Sequence, residues 1–158
     1  MRIGYGEDIH RIVEKGRPLI ICATPISEDI QIDAHSDGDC ALHALCDSLL
    51  GAIGEKDIGY FFKTSDPKWE GAPSSLMVEE VRKMVDEKGY KISNVDISIM
   101  LEKPHLSPFR EKMVDKIANL LIIDKSQISI KFGTNEKMDA VGQGLAIRSV
   151  AVVLLEEK

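Results

Sequence analysis

The chain has 158 residues, 44% hydrophobic and 29% charged, a profile that predicts one globular domain over residues 1–158 and excludes a disordered or collagen-like protein. The 20 Lys and Arg residues against 26 Asp and Glu residues give a net charge of −6, which argues against a general nucleic-acid-binding protein. No stretch reaches the ~20 apolar residues of a membrane span, and charged residues precede any apolar segment at the N-terminus, so we expect a cytoplasmic protein without a membrane partner.

The first third of the chain predicts three short strands and a helix. Arg2–Gly6, Pro18–Cys22 and Ile30–Ile32 have the length or the alternation that is typical of strands. A helix follows from about Ser36–Asp39, with apolar residues three and four positions apart, and Gly54 suits its C-terminal cap.

The middle of the chain predicts a long loop, a helix and a strand. Asp57–Gly71 contains glycines and a proline at irregular spacing, so we expect an irregular loop, and long ordered loops are often functional. Ser75–Lys88 predicts a helix that Gly89 stops. Val95–Ile99 alternates apolar and polar residues, as a half-buried strand does.

The last third predicts a helix between strands. Ser107 and Pro108 suit the N-cap and first turn of a third helix. Strands are predicted at Ile128–Phe132 and Ala146–Leu155. Interleaved helices and strands favour an α/β (α+β) two-layer sandwich, with a mostly mixed sheet and helices on one face.

Three cysteines, Cys22, Cys40 and Cys46, form an odd count without a CxxC pair. This pattern predicts reduced thiols, as in the cytosol, and not a disulfide framework. Cys40 and Cys46 lie in the apolar helical stretch, so we expect them in the core.

Asp8 and His10 form a DxH pair just after the first predicted strand. If the backbone stays extended, both side chains point to one side and offer half of a metal site. The alternative is a surface Asp and His near a strand end, and the pattern alone is weak evidence.

His43 lies in the first predicted helix, with Asp39 four residues before it and Asp47 four residues after it on the same face. One of these carboxylates could accept the second ring N–H and fix the tautomer for a metal bond. Together with Asp8 and His10, His43 completes the three ligands of an open catalytic zinc site. The alternative is a packed or surface histidine.

Two further segments could bind a phosphate or a second metal. His35–Asp39 (HSDGD) precedes the first helix, where its side chains could cap the helix, assist anion binding, or both. Gly133–Lys137 (GTNEK) is either a turn or a site whose hydroxyl and carboxylate bind Mg²⁺ or Mn²⁺. Gly142–Gly144 predicts only a flexible turn.

These motifs together resemble the 2-C-methyl-D-erythritol 2,4-cyclodiphosphate synthases of the non-mevalonate (MEP) isoprenoid pathway. The resemblance runs through nearly the whole chain, in RIGYGEDIH, AHSDGDCALHALCDSLLGAIGEKDIG, FKTSDP and GTNEKM. It implies a phosphorus–oxygen lyase that acts on 4-diphosphocytidyl-2-C-methyl-D-erythritol 2-phosphate. The 2-phosphate attacks the β-phosphate, CMP leaves, and a cyclic diphosphate forms. It also implies a homotrimer with each active site between two subunits.

The resemblance further implies two metals, because it places Zn²⁺ on Asp8, His10 and His43 and Mg²⁺ or Mn²⁺ on Glu136 with the substrate diphosphate. Two anionic phosphates must approach each other in this reaction, and a chain of net charge −6 does not offset that with its own side chains. Two divalent cations do so. No protein nucleophile is required.

His35 and Thr134 match the residues that stabilise the transition state in the family. Asp8, His10, His35, Thr134 and Glu136 also match residues that contact the substrate in the family. Three implied groups of substrate-binding residues are Asp57, Ile58 and Gly59 at the erythritol part, the neighbouring Phe62, Lys63, Thr64, Ser65 and Asp66, and Leu101, Lys103, Pro104, His105, Leu106 and Ser107 at the cytidine. The resemblance also implies substrate contacts for Ile9, Ser36, Gly133 and Asn135.

The sequence departs from common family residues without losing a predicted metal ligand. The departures are Thr64, His105, Asn135, Asp139, Ala140, Gln143 and Leu145. Two hypotheses of other classes stay open at this point: a zinc-dependent phosphoesterase acting on a nucleotide diphosphate, and a non-catalytic trimeric binding module.

Overall fold

The computed structural model describes residues 1–158 and is built around one six-stranded sheet in the order β2-β3-β1-β6-β4-β5. The β4–β5 pair is parallel and the other pairs are antiparallel, so the predicted mixed sheet is confirmed. The strands are β1 Arg2–Val13, β2 Arg17–Ile21, β3 Thr24–Ile32, β4 Tyr90–Met100, β5 Ile128–Gly133 and β6 Ala146–Glu157.

The three long helices pack in one layer against one face of this sheet. A single cluster of buried apolar side chains fills the space between the two layers. Cys40 and Cys46 are free and buried there, as predicted. None of the helices is long and apolar enough to cross a membrane. The helices are α1 Cys40–Ala52, α2 Ile58–Phe61, α3 Ser74–Glu87, α4 Arg110–Leu121 and α5 Asp139–Gly142, with 3₁₀ turns at Pro67–Trp69, Ser107–Phe109 and Lys125–Gln127.

Three strands are several residues longer than the sequence predicts, β1, β3 and β4, the last of which begins at Tyr90 instead of Val95. β1 continues beyond Gly6, because Asp8 pairs with Ser149 and Arg11 with Ala146 on β6. Backbone hydrogen bonds to a neighbouring strand thus extend β1 through a stretch that lacks apolar alternation on the core side. Pairing with β2 similarly extends β3 back to its first residue. The longer β1 keeps the DxH pair in extended backbone.

The segment Asp57–Gly71, predicted as an irregular loop, contains instead the short helix α2 and a 3₁₀ turn. Each turn begins at an aspartate, Asp57 or Asp66, whose side chain accepts a backbone N–H of the turn. The buried rings of Phe62 and Trp69 pack edge to face, with centroids 4.8 Å apart. Local capping and this aromatic contact order the segment.

The third long helix begins later than predicted. Ser107 and Pro108 form a 3₁₀ turn without a side-chain cap, because the preceding residue is already helical, and α4 begins at Arg110. The predicted flexible turn at Gly142–Gly144 is partly the end of α5, a single helical turn that the sequence did not indicate.

Gly4 and Gly6 allow α1 to lie directly on β1. A Cβ atom on Gly4 would stand 1.8 Å from a carbonyl oxygen of α1, and one on Gly6 would stand 2.1 Å from another. Alternate residues of a strand share one face, so Asp8 and His10 face α1 as well. The two glycines therefore set the distance between the DxH pair and the helix that carries His43.

The opposite face of the sheet carries apolar side chains that no helix covers. On β1, Ile3, Tyr5 and Ile9 are exposed. On β6, Val150, Val152 and Leu154 are partly exposed on the same face. Contiguous apolar surface of this kind is typical of an interaction surface.

Candidate active site

Three side chains from β1 and α1 converge where the strand and the helix touch. Asp8 Oδ2 lies 2.7 Å from His10 Nε2 and 3.0 Å from His43 Nδ1, and these two nitrogens are 3.2 Å apart. All three side chains are partly buried. The structure thus brings together the residues predicted as zinc ligands, and we call them the triad.

A hydrogen bond on the outer side of His10 leaves its Nε2 and the Asp8 carboxylate facing each other as acceptors. His10 Nδ1 lies 3.2 Å from the carbonyl oxygen of Asp33, which can only accept a hydrogen bond. When Nδ1–H donates to that oxygen, Nε2 of His10 presents a lone pair to the Asp8 carboxylate. Such an arrangement is repulsive unless a cation or a proton lies between the atoms.

The triad fits a tetrahedral metal. Bonds of ~2.0–2.1 Å to zinc place ligand atoms about 3.4 Å apart, and the triad atoms are 2.7–3.2 Å apart. Shifts of a few tenths of an ångström would therefore suffice. Two imidazoles and one carboxylate, with a fourth position open, are the donor set of a catalytic zinc site.

The triad residues shift one another's pKa values. Burial alone would raise the pKa of Asp8, but in the metal-free protein the protonated rings of His10 and His43 donate to its carboxylate and carry positive charge, and together they lower the pKa to about 2. Burial would lower the pKa of His10, but Asp8 and the carbonyl of Asp33 outweigh this and raise it. The carboxylate is thus ionised at neutral pH, as a metal ligand must be.

The prediction that Asp39 supports His43 is wrong. Its fully buried carboxylate accepts the backbone N–H groups of Cys22, Ala23 and Leu42, at 3.0, 2.7 and 3.1 Å. Asp39 therefore caps α1, as the alternative interpretation of HSDGD predicts. It also holds the tight turn between β2 and β3, where Cys22 and Ala23 have the positive φ values that non-glycine residues rarely adopt.

Asp47 does not contact the ring of His43 either. Its carboxylate accepts the backbone N–H of Ile58 at 2.7 Å. Residues four apart on a helix have Cβ atoms ~5–6 Å apart, which would allow Asp47 to contact His43. The Asp47 carboxylate binds the backbone N–H of Ile58 instead. Asp47 therefore positions α2, not His43.

Between about pH 4 and pH 6 we expect the metal-free protein to lose stability as the pH rises. Burial raises the pKa of Asp39 from 3.8 to about 6, so in this window the folded chain binds more protons than the unfolded chain. This stability is fully present below the unfolded pKa and is lost as the pH passes the folded pKa. The loss is on the order of 3 kcal/mol, because each pH unit between the unfolded and the folded pKa contributes ~1.4 kcal/mol.

Urea unfolding at successive pH values would measure this slope, and Asp39→Asn, which does not titrate, should largely remove it. Burial also raises the pKa of Asp47, but that group is common to both proteins, so their difference isolates Asp39. A variant that keeps the wild-type slope would contradict the assignment.

A cavity of about 200 Å³ lies beside the triad. Buried polar atoms almost always have a partner, yet Nε2 of His35 is buried and has none, so a hydrogen-bonding group of this ring is left unused. The cavity is lined by His10, His35, Ser36, His43, Ile58, Gly59, Phe62, Thr64, Trp69 and Met77.

A second cavity, of about 140 Å³, lies at the β4–β5 edge of the sheet. It gathers much of the predicted cytidine segment and the predicted catalytic residue Thr134. It is lined by Leu101, Pro104, His105, Leu106, Ser107, Phe132, Gly133 and Thr134.

The two cavities are separate within one chain. Along the sheet, Asp8 pairs with Ser149, Ser149 with Ile99, and Ile99 with Phe132. These three steps, at ~4.8 Å each, place the triad strand roughly 14 Å from the strand that leads to Thr134. Glu136, the predicted ligand of the second metal, is an exposed residue in that same distant loop.

Several other predicted substrate contacts lie outside both cavities. The side chain of Ile9 lies on the uncovered face of the sheet, opposite the triad, so it does not face the triad cavity. Asn135 is partly buried and donates to Asp139 at 2.7 Å. The exposed residues are Asp57, Lys63, Ser65, Asp66 and Lys103.

Comparison with known proteins identifies the family. Residues 1–156 match the YgbB family. The chain belongs to the YgbB family. A 2-C-methyl-D-erythritol 2,4-cyclodiphosphate synthase of Acaryochloris marina is 44% identical, over 98% of this chain and 96% of the relative. The chloroplastic synthase of rice is 45% identical, over 99% of this chain and 70% of the relative. A solved CDP complex of IspF from Plasmodium falciparum is 36% identical, with a TM-score of 0.87, covering 99% of this chain and 96% of the other.

The resemblance predicted from the motifs is therefore confirmed, and with it the activity of this YgbB-family chain. It is an enzyme of cyclodiphosphate synthesis in the MEP pathway of isoprenoid biosynthesis. The two hypotheses of a phosphoesterase and of a non-catalytic binding module find no support in the comparisons.

Four residues of the site were not predicted from the sequence. Trp69 and Met77 line the triad cavity, and Ser74 and Asp37 form the hydrogen-bonded contact behind His43. Asp37 lies within HSDGD, so the motif could have indicated it. Ser74 stands 31 residues beyond His43, and nothing in its own surroundings indicates a role at a metal site.

Proposed function

We propose that this chain converts 4-diphosphocytidyl-2-C-methyl-D-erythritol 2-phosphate to 2-C-methyl-D-erythritol 2,4-cyclodiphosphate and CMP, as a phosphorus–oxygen lyase. The observation that carries the proposal is the convergence of Asp8, His10 and His43 beside a cavity that His35 also lines. An open three-ligand site at a cavity suits metal-assisted phosphoryl transfer. The substrate supplies its own nucleophile, since its 2-phosphate attacks the β-phosphate and CMP leaves.

In this proposal Asp8, His10 and His43 hold Zn²⁺, and Glu136 holds Mg²⁺ or Mn²⁺ with the substrate diphosphate. When bound, divalent cations neutralise phosphate charge and align attacking and leaving oxygens. The unpartnered Nε2 of His35 supports a hydrogen bond from that ring to a phosphate oxygen.

The two cavities bind different parts of the substrate. The triad cavity takes the erythritol and 2-phosphate, with Ile58 and Gly59 at its wall. The second cavity takes the cytidine, with Pro104 at its wall, and Thr134 donates its hydroxyl hydrogen to the phosphates. CDP is bound in the solved IspF of Plasmodium falciparum, which supports a cytidine nucleotide as the ligand.

We propose a homotrimer in which the triad cavity of one subunit meets the second cavity of its neighbour. The cavities, about 200 and 140 Å³, are each smaller than the ~300–1,000 Å³ of ordinary ligand sites. A partner subunit would enlarge each one by joining two halves. The exposed Ile3, Tyr5 and Ile9 on the uncovered sheet face support an apolar interface between copies.

The proposal includes a cytoplasmic location. Cys22, Cys40 and Cys46 are free thiols. Proteins of oxidising compartments tend to pair such cysteines, so this chemistry supports a reducing compartment.

A ³¹P NMR time course with the cytidine diphosphate substrate, Zn²⁺ and Mg²⁺ tests the reaction. We expect CMP to appear together with two coupled upfield phosphorus signals of a cyclic diphosphate. A chelator should stop the reaction, because the metals supply the positive charge that offsets the phosphates. Added Zn²⁺ and Mg²⁺ should restore it.

The same spectra would also reveal hydrolysis, the outcome that contradicts the proposal. Release of orthophosphate or of an open-chain phosphomonoester would mean that water attacks the substrate, and the proposed cyclisation would be wrong. Cyclisation that continues at full rate after metal removal would overturn the role of the triad.

A further inference from the structure

His43 is held from behind by a hydrogen-bonded pair that the proposed reaction does not use. Its Nδ1 belongs to the triad, and its Nε2 lies 2.9 Å from Oγ of Ser74 and 3.2 Å from Oγ of Ser36. Ser74 is the first residue of α3 and is fully buried. Its hydroxyl in turn donates to Oδ1 of Asp37, and its backbone N–H donates to Oδ2 of Asp37 at 2.9 Å.

The position of the Ser74 hydroxyl hydrogen determines which nitrogen of His43 carries a hydrogen. The Ser74 hydroxyl has a single hydrogen, and an ionised carboxylate only accepts. The hydrogen therefore goes to Asp37, and the serine oxygen is left as an acceptor toward His43. Ser74 is the nearer of the two serine oxygens and can only accept from the ring, so its contact favours a hydrogen on Nε2 and leaves the lone pair of Nδ1 directed into the triad.

We infer that Asp37, acting through Ser74, is a positioning residue that fixes His43 in the Nε2–H tautomer required for metal binding at Nδ1. The inference rests on the metal site of the proposed function. Without this pair the Asp8 carboxylate, 3.0 Å from Nδ1, would favour the other tautomer, in which a hydrogen blocks the metal-binding position. A hydrogen bond to the second nitrogen of a metal-bound imidazole is a common means of fixing its tautomer.

Asp37 also has a structural role that must be distinguished from this one. Helix α3 has no side-chain cap at its own N-terminus, where Pro73 stands. The bond from the Ser74 N–H to Asp37 supplies that cap from another segment. A loss of stability in an Asp37 variant would therefore not by itself test the inference, and a tautomer readout is needed.

The test uses Ser74→Ala and Asp37→Asn in the full chain. Ser74→Ala removes the nearer acceptor, and the hydroxyl of Ser36, 3.2 Å from Nε2, can then donate its hydrogen to that nitrogen. Asp37→Asn keeps the size, and its NH₂ group at the position of Oδ1 loses the bond from the Asp39 backbone N–H but can donate to the serine oxygen, so the hydroxyl hydrogen can turn toward His43. In metal-free protein, at a pH where imidazoles are neutral, ¹⁵N–¹H NMR should show Nε2–H for His43 in the wild type and Nδ1–H in both variants.

Zinc affinity, measured by competition with a chromogenic chelator, is the second readout. Loss of such an outer hydrogen bond typically weakens metal binding about 10–100-fold, and we expect a loss in that range for both variants. Ser75→Ala changes the neighbouring serine of the same helix turn and serves as the matched control, with unchanged tautomer and affinity. Thermal unfolding of each metal-free variant separates lost capping from lost positioning.

Two results would overturn the inference: an Nδ1–H tautomer in the wild type, or the same tautomer and zinc affinity in Ser74→Ala as in the wild type. A wild-type protein that binds no zinc at all would instead contradict the proposed function. In that case the tautomer comparison in metal-free protein still decides the inference.

Discussion

Replacing Gly6 with alanine should destabilise the fold and separate the triad. The added Cβ would lie 2.1 Å from the carbonyl oxygen of Ala44 and 2.6 Å from the backbone nitrogen of Ser48. Both atoms belong to the backbone of α1, so no rotamer change relieves the clash and the helix itself must move. Overpacking usually costs ~1–3 kcal/mol and occasionally more, and against backbone we expect about 3 kcal/mol or more.

The same displacement should weaken metal binding, because His43 is the residue that precedes Ala44 on α1. Moving the helix away from β1 lengthens the contact between His43 Nδ1 and Asp8 Oδ2, which is 3.0 Å. Urea unfolding measures the stability, and chelator competition measures the zinc affinity. Both quantities should fall together in Gly6→Ala.

Gly51→Ala provides a control in the same helix. A Cβ there meets only a backbone oxygen of Tyr5 at 3.8 Å, an ordinary contact. Alanine is the better helix former by ~1 kcal/mol, so this variant should be as stable as the wild type or more stable. If Gly6→Ala matched Gly51→Ala in stability and zinc affinity, the close packing of α1 on β1 would not be what holds the triad.

The triad was predictable because its members obey local rules. Asp8 and His10 are two residues apart, so extended backbone alone puts them on one side. His43 lies at a regular position of a helix whose periodicity is strong. The sequence pattern alone does not predict that the strand and the helix converge. Gly4 and Gly6 decide that convergence, and their significance is visible only when α1 is seen to lie on them.

The surroundings of the triad were less predictable, because they depend on contacts between distant segments. Asp39 has the correct helical spacing to reach His43, but the turn at Cys22 and Ala23 offers it buried N–H donors. Ser74 reaches His43 only because α3 packs against α1. Spacing within one helix identifies which side chains share a face, and it does not identify which of several nearby partners each will bind.

His43→Ala should lose both zinc binding and turnover. It removes one of three ligands, and the Asp8–His10 pair that remains is half of a site. Glu136→Ala should keep the triad zinc, because Glu136 is an exposed residue in the loop after β5, yet it too should lose turnover if it holds the second metal. Chelator competition and the ³¹P assay together distinguish the two variants.

Mixing these two inactive proteins should restore part of the activity. In the proposed trimer each site takes its triad from one subunit and its Glu136 from the next. In any mixed trimer the Glu136→Ala subunit supplies an intact His43, and the His43→Ala subunit beside it supplies an intact Glu136. One site of the three is then complete, whichever variant is in the majority.

Co-refolding equal amounts should make about three quarters of the trimers mixed, so about a quarter of wild-type turnover should return. His43→Ala co-refolded with a His43→Ala, Glu136→Ala double variant is the matched control and should stay inactive, since no subunit in that mixture supplies an intact triad. If each site lay within one subunit, no mixture of the single variants would contain a complete site. Absence of recovery, with mixed trimers present by native mass spectrometry, would therefore place His43 and Glu136 in the same subunit's site and contradict the arrangement of cavities proposed above.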